Sequence, residues 1–394
     1  MTAPAESAAG VQSCAAAVLT IDLAAITDNW RQLTGRVAPA GCAAVVKADA
    51  YGLGASRVAP ALARAGCRTF FVATTDEGLA LRRELAATEA TTPAPTPDIF
   101  VLNGPPFGDA SVLSAAGLTP VLNSLDDIDI WSDVARRMDT ALPAVLHIDT
   151  GMSRLGLTAG DVARLRDDAS LLARLRVNLV MSHLACAEDP DNPMNARQLA
   201  DFRARAAGLP TAALSLANSS GIFLGRGHHL DLVRPGAALY GVQPQRRPGA
   251  FAGGPSPMQP VVRLQAQILQ VREIDTPDTV GYGATHRARG RERIATVGIG
   301  YADGFLRSLS NRGFGTVDGI RVPLVGRVSM DLVTFDVSAV PPSRARRGSV
   351  IELIGPDNPV DDVAERAGTI GYEILTSLGH RYRRVYVDGG EAGR

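Results

Sequence analysis

The chain has 394 residues, enough for two domains, and 40 Lys and Arg residues balance 40 Asp and Glu residues. A net charge of zero argues against nucleic acid or an anionic membrane as a bulk partner, and no apolar run is long enough to predict a membrane-spanning helix. Four dispersed cysteines, without a zinc-like cluster or a basic leader, lead us to expect a cytoplasmic protein with free thiols.

The first half of the chain alternates short apolar runs with amphipathic stretches. The runs cover residues 43–46, 69–73, 98–102, 119–122, 143–148, 179–183, 213–217 and 230–233. The stretches between them include 56–65, 76–86, 125–137, 159–173 and 196–207. Eight buried parallel strands joined by crossover helices predict an α/β fold of the (β/α)8 TIM-barrel type. An open, doubly wound sheet remains the alternative, because periodicity does not show whether a sheet closes.

The pattern of alternating strand-like and helical segments ends after residue 240. Residues 243–260 are rich in Pro, Gly and Arg and read as a linker. Strand-like runs follow at 261–271, 294–297, 319–325, 329–337 and 349–354, with two short helical patterns at 360–367 and 372–378. We therefore predict a barrel over 22–245 and a second, mainly β-strand C-terminal domain over 246–394. The run at 17–23 is expected to pair with that second domain, so residues 1–21 belong with it.

A single lysine, Lys47, stands among 40 cationic side chains. Chemistry that needs a primary side-chain amine must therefore use Lys47. A barrel-mouth salt bridge is the simpler alternative for an isolated lysine.

Five of the eight runs end in side chains that can carry chemistry. In chain order these ends are Lys47, then Asp149-Thr150-Gly151 with Arg154, then His183, then Asn218-Ser219-Ser220, and finally Arg234-Pro235-Gly236. The strand ends of a TIM barrel meet at one mouth, where the active site lies. We therefore expect these groups to converge on one ligand.

The residue types suit an aldehyde that carries a phosphate. A lysine at the end of a buried strand loses hydration, which favours the neutral amine that forms Schiff bases. The loops after strands seven and eight often bind phosphate, and here they offer Ser219, Gly236 and Ala237. Simpler interpretations stay open: His183 as a core histidine and Ser219 as a helix cap. His228 and His229 are expected to be solvated.

Several motifs recur in one known family in the same order. They are VVKADAYGLG at 45–54, DTGMSRLG at 149–156, ANS at 217–219, VRPG at 233–236, LYG at 239–241, GYADG at 300–304, GRVSMD at 326–331 and GYE at 371–373. Together they span almost the whole chain and resemble the alanine racemases. The resemblance implies a pyridoxal 5'-phosphate (PLP) enzyme that interconverts L- and D-alanine by two-base proton transfer. It also implies a homodimer with shared active sites and a role in supplying D-alanine to the cell wall.

The resemblance assigns roles to individual residues. Lys47 resembles the lysine that forms the aldimine and the base for the D substrate, and Tyr301 resembles the base for the L substrate, donated across the dimer interface. The phosphate contacts would be Tyr51, Ser219, Gly236, Ala237 and Tyr372. Arg234, with His183 behind it, resembles the partner of the pyridine nitrogen. Arg154 and Met330 resemble substrate contacts, the latter from the second subunit.

One departure concerns His147. Many family members have a carbamylated lysine there, which orients the arginine seven residues on; this chain has no lysine to replace it. Asp149 or a bound anion such as chloride could orient Arg154 instead.

Three other activities remain open. A PLP-dependent decarboxylase of the same architecture would more naturally place an acid where Arg234 stands. A PLP carrier would lack the second domain, and a Schiff-base aldolase would need no PLP.

Overall fold

The computed structural model describes residues 15–89, 95–245 and 256–389. Elements of the first part are β1 (Ala17–Asp22), α1 (Leu23–Val37), β2 (Gly41–Cys42), β3 (Ala44–Val45), α2 (Lys47–Gly52), α3 (Ala55–Arg64), β4 (Thr69–Val72), α4 (Thr75–Glu89), β5 (Asp98–Val101), α5 (Ser111–Ala115), β6 (Thr119–Leu122), α6 (Leu125–Arg137), β7 (Leu142–His147), α7 (Ala159–Asp167), β8 (Leu175–Met181), α8 (Pro193–Ala206), β9 (Ala213–Ser215) and β10 (Leu232–Val233). Those of the second part are β11 (Val262–Ile274), β12 (Thr279–Val280), β13 (His286–Arg287), β14 (Glu292–Val297), β15 (Phe314–Val317), β16 (Ile320–Pro323), β17 (Val333–Asp336), β18 (Val350–Ile354), α9 (Val360–Ala367), α10 (Gly371–Ser377) and β19 (Arg383–Val387).

The first part of the chain closes into a barrel. Strands β3 to β9 form one parallel sheet in sequence order, and β10 pairs in parallel with β2. On one side of β10, the Asp231 N–H donates to Leu214 O (3.0 Å); on the other side, the Ala43 N–H donates to Val233 O (3.0 Å). Strand β10 therefore joins both edges of the parallel sheet. The predicted TIM barrel is confirmed, and the open sheet is wrong.

Side chains alternate between the inside and the outside of the barrel. Val45, Phe71, Phe100, Val121 and Val145 pack together in the interior with Leu179 and Met181. Their chain neighbours belong to the larger core that the helices cover; they include Ala44, Phe70, Ile99, Leu122 and Leu146. This two-residue period fills the interior with bulky side chains, so the barrel is a packed core with its chemistry at the mouth.

Local capping explains where several helices begin. Ser124 accepts the Asp127 N–H at the start of α6, and Thr158 forms a capping box with Asp161 at the start of α7. Helix α8 begins with Asn192 as its cap and Pro193 in its first turn.

The second unit is a mainly β domain with β11 at its centre. Strand β11 pairs antiparallel with β1, β14 and β18, and β1 also pairs in parallel with β19. The run predicted at 17–23 thus lies between two strands that follow the barrel in sequence. The predicted linker at 243–260 lies largely outside the described residues. Helix α1 and strands β15 and β19 were not predicted.

The β domain also reaches the barrel mouth within the same chain. The Arg384 guanidinium donates to Gly52 O (2.6 Å), and the Tyr386 hydroxyl donates to Leu53 O (3.1 Å). A β-carbon added to Gly52 would meet Leu375 O of α10 at 2.5 Å, so α10 packs directly on the segment that follows Lys47. Within the described ranges, no helix is both long and apolar enough to cross a bilayer.

Candidate active site

Lys47 stands where β3 ends at the barrel mouth, and it is half-buried. Burial lowers its pKa, and the positive charge of Arg154 lowers it further, while Glu77 opposes both effects. A lowered pKa increases the fraction of neutral amine, the form that attacks carbonyl groups and accepts protons.

The four residues after Lys47 form a left-handed turn without glycine. Ala48, Asp49, Ala50 and Tyr51 have φ values of 52° to 56°. Each such residue costs about 1–2 kcal/mol because its β-carbon approaches a carbonyl oxygen. A backbone of this kind persists only where surrounding contacts hold it, and it is typical of functional sites.

The left-handed turn carries Tyr51 across the mouth to the loop after β10. The Tyr51 ring lies 4.8 Å from the ring of Tyr240, whose hydroxyl donates to Val45 O (3.0 Å). A β-carbon added to Gly236 would lie 2.3 Å from the Tyr51 hydroxyl oxygen. Only glycine therefore allows the phenol and the backbone at Gly236 to approach so closely.

Two backbone N–H groups and one hydroxyl converge at the same place. The Ser219 hydroxyl oxygen accepts from the N–H groups of Gly236 (3.0 Å) and Ala238 (3.1 Å), and Ala237 lies between them at the start of a 3-10 turn. Converging N–H groups and hydroxyls form an anion-binding concavity. The structure thus brings together Tyr51, Ser219, Gly236 and Ala237, four of the five residues predicted to contact the phosphate.

Tyr372, the fifth, lies on α10 with its ring 6.4 Å from that of Tyr51. Its hydroxyl donates a short hydrogen bond to the carboxylate of Glu188, a residue that the sequence did not single out. Burial raises the pKa of Tyr372, and the bond to Glu188 raises it further, so the phenol stays protonated.

Arg234 is buried, and both of its terminal nitrogens donate to neighbouring groups. It donates to the Ser215 hydroxyl, to Ser182 O (2.6 Å) and to His183 Nδ1 (3.4 Å). Burial lowers the pKa of Arg234 to about 9, which leaves the guanidinium charged at neutral pH. Burial, and then Arg234, lowers the pKa of His183 well below its ordinary value, so His183 is neutral and accepts through Nδ1. The predicted arrangement of His183 behind Arg234 is present.

Arg154 is exposed at the mouth, and the described residues offer it no hydrogen bond or ion pair. Asp149, one of the two candidates for orienting Arg154, is engaged elsewhere. Its Oδ1 accepts the N–H groups of the three residues before Arg154, at 2.9, 3.0 and 3.1 Å. The assignment of Asp149 to Arg154 is therefore wrong, because the carboxylate caps its own loop. The bound anion stays a prediction.

His147 is buried, and its Nδ1 lies 2.8 Å from Asn123 Oδ1. The Asn123 amide nitrogen donates to Leu102 O (3.1 Å) and Val121 O (3.0 Å), which fixes its oxygen toward the imidazole. His147 Nδ1 must therefore carry the proton. Burial, and then Arg234, lowers the pKa of His147 to about 4, so no cationic imidazole stands near Arg154 at neutral pH.

Tyr301 and Met330 lie side by side on the β domain and face outward. The Tyr301 N–H donates to Ser329 O, and the next N–H donates to Met330 O, both at 3.0 Å. Tyr301 is 43% exposed and Met330 is 54% exposed. A large apolar pair displayed in this way is typical of a surface that meets another protein.

The expectation that His228 and His229 are solvated is wrong for both: His228 is half-buried with both ring nitrogens shielded from solvent. His229 is only 5% exposed, and its Nε2 lies 2.8 Å from Ile222 O. Sequence reasoning also missed three residues that bond to groups distant in sequence: Glu77 to the Ala48 N–H, Asn123 to the His147 imidazole and Glu188 to the Tyr372 hydroxyl. Their positions just after or before predicted strands were the only available signal.

These groups fit PLP. A lysine of lowered pKa, an anion concavity bounded by Tyr51 and Gly236, and a buried charged donor at Arg234 match an aldehyde, a phosphate and a ring nitrogen acceptor. A closed barrel with this mouth and an attached β domain defines a class, the PLP-dependent barrel enzymes.

Comparisons with known proteins identify the family. The model of the alanine racemase N-terminal domain matches residues 21–244, and that of the alanine racemase C-terminal domain matches residues 261–386. The chain therefore belongs to the alanine racemase family.

Individual alanine racemases match this chain over nearly its full length. An alanine racemase of Rhodospirillum rubrum is 54% identical over 378 residues, covering 96% of this chain and 97% of that protein. A catabolic alanine racemase of Agrobacterium fabrum is 49% identical, covering 94% and 92%. The crystal structure of the Bartonella henselae enzyme, with covalently bound pyridoxal phosphate, superposes with a TM-score of 0.87 at 42% identity, covering 95% of this chain and 100% of that one.

Proposed function

We propose that this chain racemises alanine with PLP by moving the α-proton between two bases, Lys47 and Tyr301 of the partner subunit. The observation that carries the proposal is Lys47 itself, the only lysine, which stands with a lowered pKa at a mouth that also holds an anion concavity. Bases on opposite faces of the α-carbon can remove a proton from one side and return one to the other without turning the substrate over.

When bound, PLP would supply an aldehyde for Lys47 and a conjugated ring that accepts the electron pair left on the substrate α-carbon. Its phosphate would be held by Tyr51, Ser219, Gly236, Ala237 and Tyr372. The bonds from the Gly236 and Ala238 N–H groups to the Ser219 hydroxyl oxygen fix the two loops that carry three of them. Arg234 would donate to the ring nitrogen, and because a charged guanidinium has no proton acceptor, that nitrogen stays unprotonated. A weaker electron sink favours return of the proton over side reactions. This role for Arg234 also counts against the decarboxylase alternative.

Arg154 would bind the substrate carboxylate. Its exposed guanidinium, without an ion pair among the described residues, leaves its donors available for a planar anion. Burial lowers the pKa of the neighbouring Lys47 amine most, and the positive charge of Arg154 lowers it further, which favours the neutral form that a base requires.

The proposal includes a homodimer, because Tyr301 and Met330 point outward from their own chain. Backbone hydrogen bonds join the two motifs, so the backbone places Tyr301 and Met330 next to each other before a second copy binds. Buried against a second copy, the pair would supply one base and one substrate contact to the neighbouring barrel.

Proton exchange in D2O tests the reaction. We expect the purified enzyme, loaded with PLP, to exchange the α-proton of L- and D-alanine faster than that of other amino acids. Borohydride reduction followed by mass spectrometry should place the adduct on the Lys47 peptide, and Lys47→Ala should carry none. The proposed function would be overturned if no amino acid exchanged its α-proton, or if the PLP adduct lay on a peptide other than that of Lys47.

Mixed subunits test the shared site. Lys47→Ala and Tyr301→Phe are each expected to be inactive alone, whereas a heterodimer has one intact site. Mixing the two, with subunit exchange followed by native mass spectrometry, should restore activity. Subunit exchange without recovered activity would show that each chain forms its active site alone.

We further propose that the enzyme acts in the cytoplasm and supplies D-alanine for the cell wall. A cell that lacks it should then require added D-alanine for growth. Growth without D-alanine, together with failure to grow on D-alanine as carbon source, would instead indicate a catabolic role.

A further inference from the structure

Glu77 joins two strand ends at the barrel mouth. It lies in the first turn of α4 and is half-buried. Its Oε1 accepts the Ala48 N–H (2.8 Å), and its Oε2 accepts the Ala73 N–H (2.7 Å) and the Thr74 N–H (3.4 Å). One carboxylate therefore ties the residue after Lys47 to the segment that follows β4.

The bond to Ala48 is placed where the backbone most needs support. Ala48 is the first of the four left-handed residues, and its N–H points away from the turn that it begins. The far side of the turn is held separately, since Asp49 Oδ1 accepts the Ala55 N–H (2.7 Å) and Asp49 O accepts the Gly54 N–H (2.9 Å). Glu77 is the side chain that anchors the near side, next to Lys47.

Glu77 also acts on Lys47 through space. Three charged or titratable side chains from three elements face the Lys47 amine: Glu77 on α4, Arg154 after β7 and His183 after β8. Arg154 lowers the pKa of Lys47 and Glu77 raises it. His183 is neutral, so the charge balance at the amine depends on the other two.

Neighbouring carboxylates are engaged elsewhere. Asp49 caps the start of α3, and Asp149 accepts three N–H groups of its own loop. Neither has a bond to the segment between Lys47 and Tyr51 that could replace the bond from Glu77.

We propose that Glu77 is the positioning residue of Lys47, holding the left-handed turn in place and setting a negative charge beside the only amine of the site. The proposal deepens the proposed function and rests on it, because it assumes that Lys47 binds PLP and transfers the proton. Glu77 itself touches neither substrate nor cofactor.

The test uses the apoenzyme and the fact that Lys47 is the only lysine. The rate of Lys47 acetylation is measured against pH by mass spectrometry of its peptide; the N-terminal amine lies on a different peptide. The variants are Glu77→Gln, which keeps one oxygen acceptor and removes the charge, and Asp76→Asn. Asp76→Asn is the matched control. Asp76 is the exposed neighbour of Glu77 on the same helix, so this substitution removes the same charge without removing the contact to Ala48.

We expect the midpoint of the rate profile to move to lower pH in Glu77→Gln and to stay at the wild-type value in Asp76→Asn. In the holoenzyme, Glu77→Gln should release PLP about tenfold faster on dialysis, the change expected for a lost hydrogen bond to a charged group. A wild-type midpoint in a folded Glu77→Gln would overturn the proposal.

Glu77→Asp keeps the charge and shortens the side chain, so it separates the electrostatic effect on Lys47 from the support of the left-handed turn. It also provides the test if Glu77→Gln does not fold. Its midpoint should stay closer to wild type while PLP is released faster; PLP retention equal to wild type would overturn the positioning role. Failure of the proposed function would look different, as a PLP adduct away from Lys47 in the wild type.

Discussion

The left-handed turn after Lys47 makes one substitution stabilising where the same substitution elsewhere is harmful. Ala48 is exposed and has φ 52°, so glycine would relieve about 1–2 kcal/mol of steric strain without removing a buried contact. Glycine also gives the unfolded chain more freedom, which costs about 0.5–1 kcal/mol. The net expectation for Ala48→Gly is a gain of about 1 kcal/mol in the free energy of unfolding.

Ala80→Gly is the matched control. Ala80 is exposed in the interior of α4, where the backbone is right-handed and glycine relieves nothing. There the substitution should cost about 0.5–1 kcal/mol. Urea unfolding of the apoenzyme, followed by circular dichroism, should raise the midpoint for Ala48→Gly and lower it for Ala80→Gly at an unchanged m-value. If both variants lower the midpoint equally, the turn is not strained and the reasoning is refuted.

Other expectations follow from the same site. Tyr301→Phe should retain PLP absorbance while racemisation falls by about two to four orders of magnitude, with α-proton exchange from L-alanine hit hardest; equal loss from both enantiomers would contradict a face-specific base. Ser219→Ala removes the acceptor of two backbone N–H groups and should weaken PLP binding about tenfold in a fluorescence titration, whereas unchanged affinity would place the phosphate elsewhere. Because burial lowers the pKa of His147 from 6.5 to about 4, the unfolded chain binds a proton that the folded chain does not between those values, and stability falls as the pH drops through that window. His147→Gln should make that fall shallower in pH-dependent urea unfolding, and an unchanged slope would mean that other groups produce it. Activity should be insensitive to added bicarbonate and should drop when halide is removed if an anion orients Arg154, and halide-independent rates would exclude the anion.

Elements with strong local signals could be predicted from the sequence. Helix α6 was predicted with its observed bounds, 125–137, because Ser124 caps it and its apolar residues recur at helical spacing. Strand β15 was not predicted, since its four residues have no alternation of polar and apolar side chains: all four are buried.

The predicted site residues were found through strand ends and recurring motifs, whereas the missed ones lie outside the motifs and their bonding partners are distant in sequence. No propensity predicts four left-handed residues at Ala48 to Tyr51, because the cost is met by tertiary contacts such as the bond from Glu77. Asn123 and Glu188 likewise act on groups 24 and 184 residues away in sequence, a distance that local patterns do not cover.

The position of β1 gives the β domain an order of assembly. A ribosome makes β1, which ends at residue 22, long before β11, which begins at residue 262, and β19 comes later still. The barrel can close while Leu19 and Ile21, fully buried in the finished protein, still lack their partners. Insertion of β1 between β11 and β19 is then a closing event that requires nearly the whole chain. In the proposed dimer, Tyr301 and Met330 belong to this last unit to assemble. A prematurely terminated chain would therefore be unable to place a misfolded Tyr301–Met330 segment in a neighbour's active site.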